Sequence, residues 1–179
     1  RLVKRGKGSF TCGGGKNIYT FTGSIELYGG TVQLDGDYTN VAVSGPTNIL
    51  VSGHNTVLKL YNFDNLNHNA TLRFEDEAQI QWGGNYTSVQ FDCTVKNMFI
   101  DGQQCVAGNW GPFNSSYPHK MIQIYSTVNA NVRIAVTEGP AEGGYEGQSV
   151  MWSGGVKHWT GAVNNSWSTA GNWEEGEVP

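Results

Sequence analysis

Apolar and polar residues alternate along this chain in short runs, each closed by Gly, Asn or Asp. That is the period of two expected of strands with one buried face and one wet face, separated by tight turns. Such runs lie at 18–21, 24–27, 31–34, 41–43, 49–51, 57–60, 71–74, 79–82, 88–91, 98–100, 121–125 and 132–136. No segment sustains the 3.6-residue period of an amphipathic helix. The pattern predicts an all-β protein.

The spacing of the runs narrows the architecture. Tyr38-Thr-Asn-Val-Ala-Val-Ser-Gly45 is followed at once by its near-duplicate Pro46-Thr-Asn-Ile-Leu-Val-Ser-Gly53, and then by His54-Asn-Thr-Val-Leu-Lys-Leu-Tyr61. Each unit carries one strand of about four residues and a turn written with Ser-Gly, Gly-Pro or Asn, residues that accept positive φ or satisfy backbone groups locally. Units this short have no room for the helical crossover of an ordinary parallel sheet. They either hairpin back as a meander or bend by roughly 120° and start the next face of a solenoid, three units making a rung of roughly 24 residues. The tandem, equal-length units favour a parallel β-helix or solenoid-like body. An antiparallel β-sandwich or jelly roll, with turns every 8 to 12 residues or so, is the alternative.

The alternation lapses twice. The stretch 103–119 contains Gly108-Asn-Trp-Gly-Pro-Phe-Asn-Ser-Ser-Tyr-Pro118, which is long for a loop without a function or a capping role. Residues 138–147 are acidic and glycine-rich, the composition of a linker or an exposed hairpin tip. The expected organisation is a flexible basic arm at 1–8, a β body at 9–137, a Gly-rich linker at 138–147 and a Trp-rich C-terminal appendage at 148–179.

Composition sharpens the setting. Charged residues make up 15% of the 179, below the roughly 25% of ordinary soluble domains, so uncharged polar groups dominate the surface. A net charge of −4, with Arg1, Lys4, Arg5 and Lys7 as the only cationic cluster, argues against nucleic acid as partner. No stretch approaches the ~18 apolar residues of a membrane span. Of the three cysteines, Cys93 and Cys105 are close enough to bracket one loop; a disulfide there suits a secreted protein, and buried thiols are the competing reading. Asn69, Asn85, Asn114 and Asn164 each begin an Asn-X-Ser/Thr acceptor, the signal for glycosylation of exposed loops in a secreted eukaryotic protein.

Catalytic signatures are lacking: the sequence has no Gly-X-Ser-X-Gly elbow and no His-Glu-X-X-His pair. Gly13-Gly-Gly-Lys16 has no Ser/Thr after its Lys and reads as a turn. Glu75-Asp76-Glu77 places only its first and last carboxylates on one strand face, and a solvated turn is the simpler role. The histidines at 54, 68, 119 and 158 are dispersed. No catalytic residue, metal ligand or cofactor is assigned. Aromatic rings beside glycine-rich turns are better candidates: Trp82, Trp110 and Tyr117 could stack on glycans, with core packing as the competing role.

The most specific motif is Trp159-Thr-Gly-Ala-Val-Asn-Asn-Ser-Trp167-Ser-Thr-Ala-Gly-Asn172-Trp173, followed by Glu-Glu-Gly-Glu-Val-Pro179. It resembles the segment that heads many β-solenoid repeats in autotransporter-like passengers and Bacteroidetes cell-surface adhesins. The resemblance covers about residues 159–179 and, more weakly, 38–61. It implies a secreted, extracellular or cell-surface location and a non-catalytic structural or adhesive role, as a building block of a surface layer or filament. Trp159, Trp167, Asn172 and Trp173 would then sit at a junction with adjoining repeats or further copies of the chain. In that family the segment usually precedes a β body, whereas here it follows one. A carbohydrate-binding module, or a β-helix carbohydrate-active enzyme meeting surface glycans, is the second reading.

Overall fold

A computed structural model describes residues 1–13, 22–35, 45–60, 66–82, 91–113, 115–121, 124–126, 132–147, 160–166 and 168–173. The expected runs at 18–21 and 41–43 lie outside them. The chain separates into two units, Arg1–Gln148 and Ser149–Pro179.

The first unit is all-β. Its strands begin with β1 (Leu2–Arg5), β2 (Ser9–Gly13), β3 (Ser24–Tyr28), β4 (Thr31–Asp35) and β5 (Asn48–Ser52). They continue with β6 (Val57–Leu60), β7 (Thr71–Glu75), β8 (Gln79–Trp82), β9 (Phe91–Val95) and β10 (Asn97–Ile100). The remainder are β11 (Gln103–Gln104), β12 (Gly108–Gly111), β13 (His119–Lys120), β14 (Ile124–Ser126) and β15 (Val132–Val136). Among the described residues these form three sheets, in the orders β1-β3-β5-β7-β10-β11, β14-β8-β6-β4-β2 and β13-β12-β15-β9.

The chain visits the first two sheets alternately. From β1 to β6 each strand pairs in parallel with the strand two elements later. In the first sheet Leu2 lies beside Ile25, Ile25 beside Ile49, Ile49 beside Leu72 and Leu72 beside Met98, steps of 23, 24, 23 and 26 residues. Antiparallel pairs occur at β10–β11 and β12–β15, and β15 lies parallel to β9, so the third sheet is mixed.

Alternation becomes burial. In β6, β7, β8 and β10 every second side chain is buried, and in-register stacking turns these positions into apolar columns. Leu27, Val51, Phe74 and Ile100 form one; Val32, Leu58, Ile80 and Ile124 form another. The turns stack as well. Gly6, Gly30, Asn55, Asp76 with Glu77, and Asp101 all have positive φ, each just after a strand of the first sheet. Here the chain passes to the next strand within two to four residues, a tight turn that the left-handed conformation permits. At Gly30 only glycine fits, since a Cβ would lie 2.3 Å from the Gly8 carbonyl oxygen.

Three expectations about organisation need correction. Residues 1–8 are not a free arm, because Leu2–Arg5 is a strand. Lys4 disguised it by occupying an inward position, beside Leu27. Its stem folds along the end of the core while its Nζ donates to the carbonyl oxygens of Arg5, Gly6 and Gly29, the usual compromise of a long cationic side chain. Nor are residues 138–147 a linker. The Val106 N–H donates to the Tyr145 carbonyl and the Tyr145 N–H to that of Gln104, and Gly139 lies so close to the backbone that a Cβ would meet the Ala107 nitrogen at 2.4 Å. The stretch 103–119, read as a loop, contains β11 and β12 and ends at the first residue of β13.

Candidate interaction surfaces

Two of the three rings expected to meet glycans are inside. Register puts Trp82 on the inward side of β8 next to Leu60, leaving it 1% exposed. Trp110 is fully buried. Its ring stacks on His119 at 4.8 Å and on Tyr145 at 5.8 Å, and its Nε1 donates to the Val106 carbonyl. Neither can reach a sugar. Tyr117 is half-buried, and a Cβ on Gly111 would lie 2.4 Å from its ring; absence of a side chain at 111 lets the tyrosine pack there.

The expected Cys93–Cys105 disulfide is not formed. Cys93 belongs to the third sheet, opposite Ile134, while Cys105 follows β11 beside Tyr145 and keeps a free thiol. Both are buried, so the buried-thiol alternative describes Cys105. Burial pushes its thiol pKa up to about 12.

Of the glycosylation acceptors, Asn69 and Asn164 are exposed, and Asn85 and Asn114 lie outside the described residues. Asn164 is partly engaged, since its Oδ1 accepts hydrogen bonds from the Ser166 N–H and from Asn172 Nδ2.

Of the four junction residues, Trp159 and Trp167 also lie outside the described residues, whereas Asn172 and Trp173 are buried. Asn172 closes its own segment. Its Oδ1 accepts from the N–H groups of Val163 and Asn164, its Nδ2 donates to Asn164 Oδ1 and the Ser166 carbonyl, and its own carbonyl accepts from Thr160. A 3-10 turn, Ala170–Asn172, delivers it. An amide is needed here, because only a side chain with both acceptor and donor faces can satisfy two N–H groups and two oxygens.

Two surfaces come from residues to which the sequence reading gave no role. On the outer side of the first sheet, Arg1, Ser24, Glu26, Tyr28, Leu50 and Arg73 line an open trough of about 370 Å³. Arg1 grips Glu26 with two hydrogen bonds and the Tyr28 hydroxyl donates to the same carboxylate. The Arg1 hydrogen bond is the main cause holding the Glu26 carboxyl below its ordinary pKa. Arg5 lies over the Tyr28 ring at 4.7 Å and Arg73 over Phe99 at 4.9 Å. The surface is therefore cationic and aromatic. The signal for it was present in the alternation of Leu2 and Lys4 against Val3 and Arg5, but four basic residues in seven hid the strand.

The second surface is the edge formed by β1 and β2. Among the described residues each strand pairs on one side only. Phe10, at the head of an inward column, is 43% exposed, whereas Val32 and Leu58 below it are 0% exposed. At the other margin of the first sheet the antiparallel β11 covers β10. The two margins are thus unlike.

Among the described residues no group of three or more His, Cys, Asp or Glu is placed to hold a metal ion, and no helix is long and apolar enough to cross a membrane. Comparison with protein-family models, curated proteins and solved structures finds no match to this chain.

Proposed function

We propose that this chain is a non-catalytic extracellular structural or adhesive building block whose first unit is a short β-solenoid. The observation that carries the reading is the near-even step along the first sheet, 23, 24, 23 and 26 residues from Leu2 to Met98, with strands β1 to β8 falling alternately in two sheets and pairing there in parallel. Such a stack grows by adding rungs, each contacting only its neighbours, and its end strands stay open to another chain unless something covers them. The segment 159–179, with its three tryptophans, resembles those that adjoin solenoid repeats at bacterial cell surfaces, which supports the same setting. Negative-stain microscopy and sedimentation across protein concentration test it: filaments or a mass that rises with concentration are expected.

A second reading, glycan binding, is favoured by one feature, the trough in which Tyr28 and two arginines face outward. Exposed aromatic faces and charged planar groups suit sugar rings and their hydroxyls or carboxylates. Retention on a polysaccharide array by a chain that sediments as a monomer at every concentration would replace the first reading with this one.

A further inference from the structure

We infer that the trough over β5 binds a carboxylated sugar, a uronate residue of an acidic glycan, with Arg73 as the group that takes the carboxylate. The inference rests on the glycan-binding reading above and names the chemistry which that reading leaves open. Register builds the trough from one outward row. Glu26 lies beside Leu50 and Leu50 beside Arg73, so an apolar strip on β5 separates an anion on β3 from a cation on β7. With neighbouring strands about 4.8 Å apart, the backbones of the two walls lie about 10 Å from each other. That width and a volume of about 370 Å³ suit a sugar ring with its substituents.

The two walls differ in how much of their hydrogen-bonding capacity is used. Glu26 already receives three hydrogen bonds, two from Arg1 and one from the Tyr28 hydroxyl, of the roughly four that a carboxylate accepts. Its charge is largely answered, and one acceptor position on Oε1 remains for a hydroxyl. Arg73 is the opposite case. Among the described residues no carboxylate pairs with it. Its guanidinium rests over the Phe99 ring at 4.9 Å, a contact that positions the group without engaging its N–H donors. A guanidinium held in this way matches a planar carboxylate. Between the walls Leu50 offers an apolar floor to the C–H face of a ring. Asn48 and Ser24, in register beside each other, offer donors and acceptors to its hydroxyls. An acidic peptide would meet Arg73 but brings few hydroxyls for Glu26, Asn48 and Ser24; a hydroxylated acid meets them all.

Isothermal titration calorimetry of the full chain tests the site with three probes: a glucuronate oligomer, its carboxyl-reduced neutral counterpart and polyglutamate. The glucuronate oligomer should bind at least about tenfold more tightly than either of the others, and more weakly as salt rises. Arg73→Gln and, independently, Asn48→Asp should each weaken its binding by at least about tenfold; the second keeps the shape of the side chain and sets a negative charge in the trough. Lys59→Gln, on the outward side of the second sheet between Gln33 and Gln81, should leave binding unchanged. Far-UV circular dichroism checks that each variant keeps the parent's β fold. If the neutral oligomer binds as tightly as the acidic one, or either trough variant binds like the parent, the carboxylate site is wrong while glycan binding stands. An equal loss with Lys59→Gln would mean unlocalised charge attraction, and polyglutamate bound as tightly as glucuronate would mean an acidic-peptide surface; each overturns the site. A chain that binds neither saccharide removes the glycan reading as well.

Discussion

Asn172 illustrates how one side chain can organise a segment with almost no regular structure. It is fully buried, and its amide bridges the backbone at 163, 164 and 166. Removing it strands several polar groups at once, and each unsatisfied buried group costs about 1–3 kcal/mol. Asn172→Ala should therefore speed proteolysis within residues 149–179 while the β spectrum of the first unit stays unchanged, as timed digestion with mass mapping would reveal. Cys105 makes the opposite point, that a reactive group can be silenced by its surroundings. With its pKa pushed up to about 12 by burial, it stays a thiol and should resist iodoacetamide in the native protein at about pH 8, reacting only on unfolding. The linkage has a definite sign. As pH rises toward 12 the unfolded chain ionises this thiol first, so stability present below the ordinary thiol pKa is lost through that window. Urea midpoints at about pH 8 and about pH 10.5 should fall further for the parent than for Cys105→Ala.

Among the elements, the turns are as decisive as the strands. Gly30 sits at φ +70° with the Gly8 carbonyl where a Cβ would go, and the Gly30 carbonyl in turn accepts from the Val57 N–H. Gly30→Ala should cost more than about 1 kcal/mol by urea denaturation, because neither backbone can retreat without breaking its ladder. Asp76 and Glu77 hold left-handed conformations without being glycine, and the neighbouring turns compensate. Ser52 Oγ donates to Asp76 Oδ2, the Asp76 N–H to Asp101 Oδ1, and His54 lies 2.8 Å from Glu77 Oε2. The acidic triplet is thus a turn bound to the turns before and after it. In the third sheet Trp110 anchors β12 through its two ring contacts and its Nε1 hydrogen bond. Trp110→Ala should destabilise the first unit by about 3–5 kcal/mol, measured by chemical denaturation.

For the whole molecule, the division at Gln148/Ser149 makes the first unit a candidate for independent folding. A chain truncated to residues 1–148 should keep its β circular dichroism and a cooperative urea transition; loss of cooperativity would show that the second unit is part of the same core. The runs at 57–60, 79–82 and 132–136 were legible because strict alternation has one meaning when one face is buried. Strand β1 was hidden by Lys4, whose ammonium is satisfied in part by the Gly29 carbonyl, brought from the turn after β3. The eight-residue units were legible as strands and turns, but not their fate: the second and third became β5 and β6, in different sheets. Local sequence by itself determined strand, turn and the side that faces inward, since these depend on propensity and a period of two. Tertiary structure alone decided which strands pair, that Trp82 and Trp110 are core rather than surface, and that Cys93 and Cys105 stay apart. Apart from the short β10–β11 and β12–β13 pairs, those outcomes depend on register between residues 22 or more positions apart, and side-chain alternation within a run carries no record of its distant neighbour.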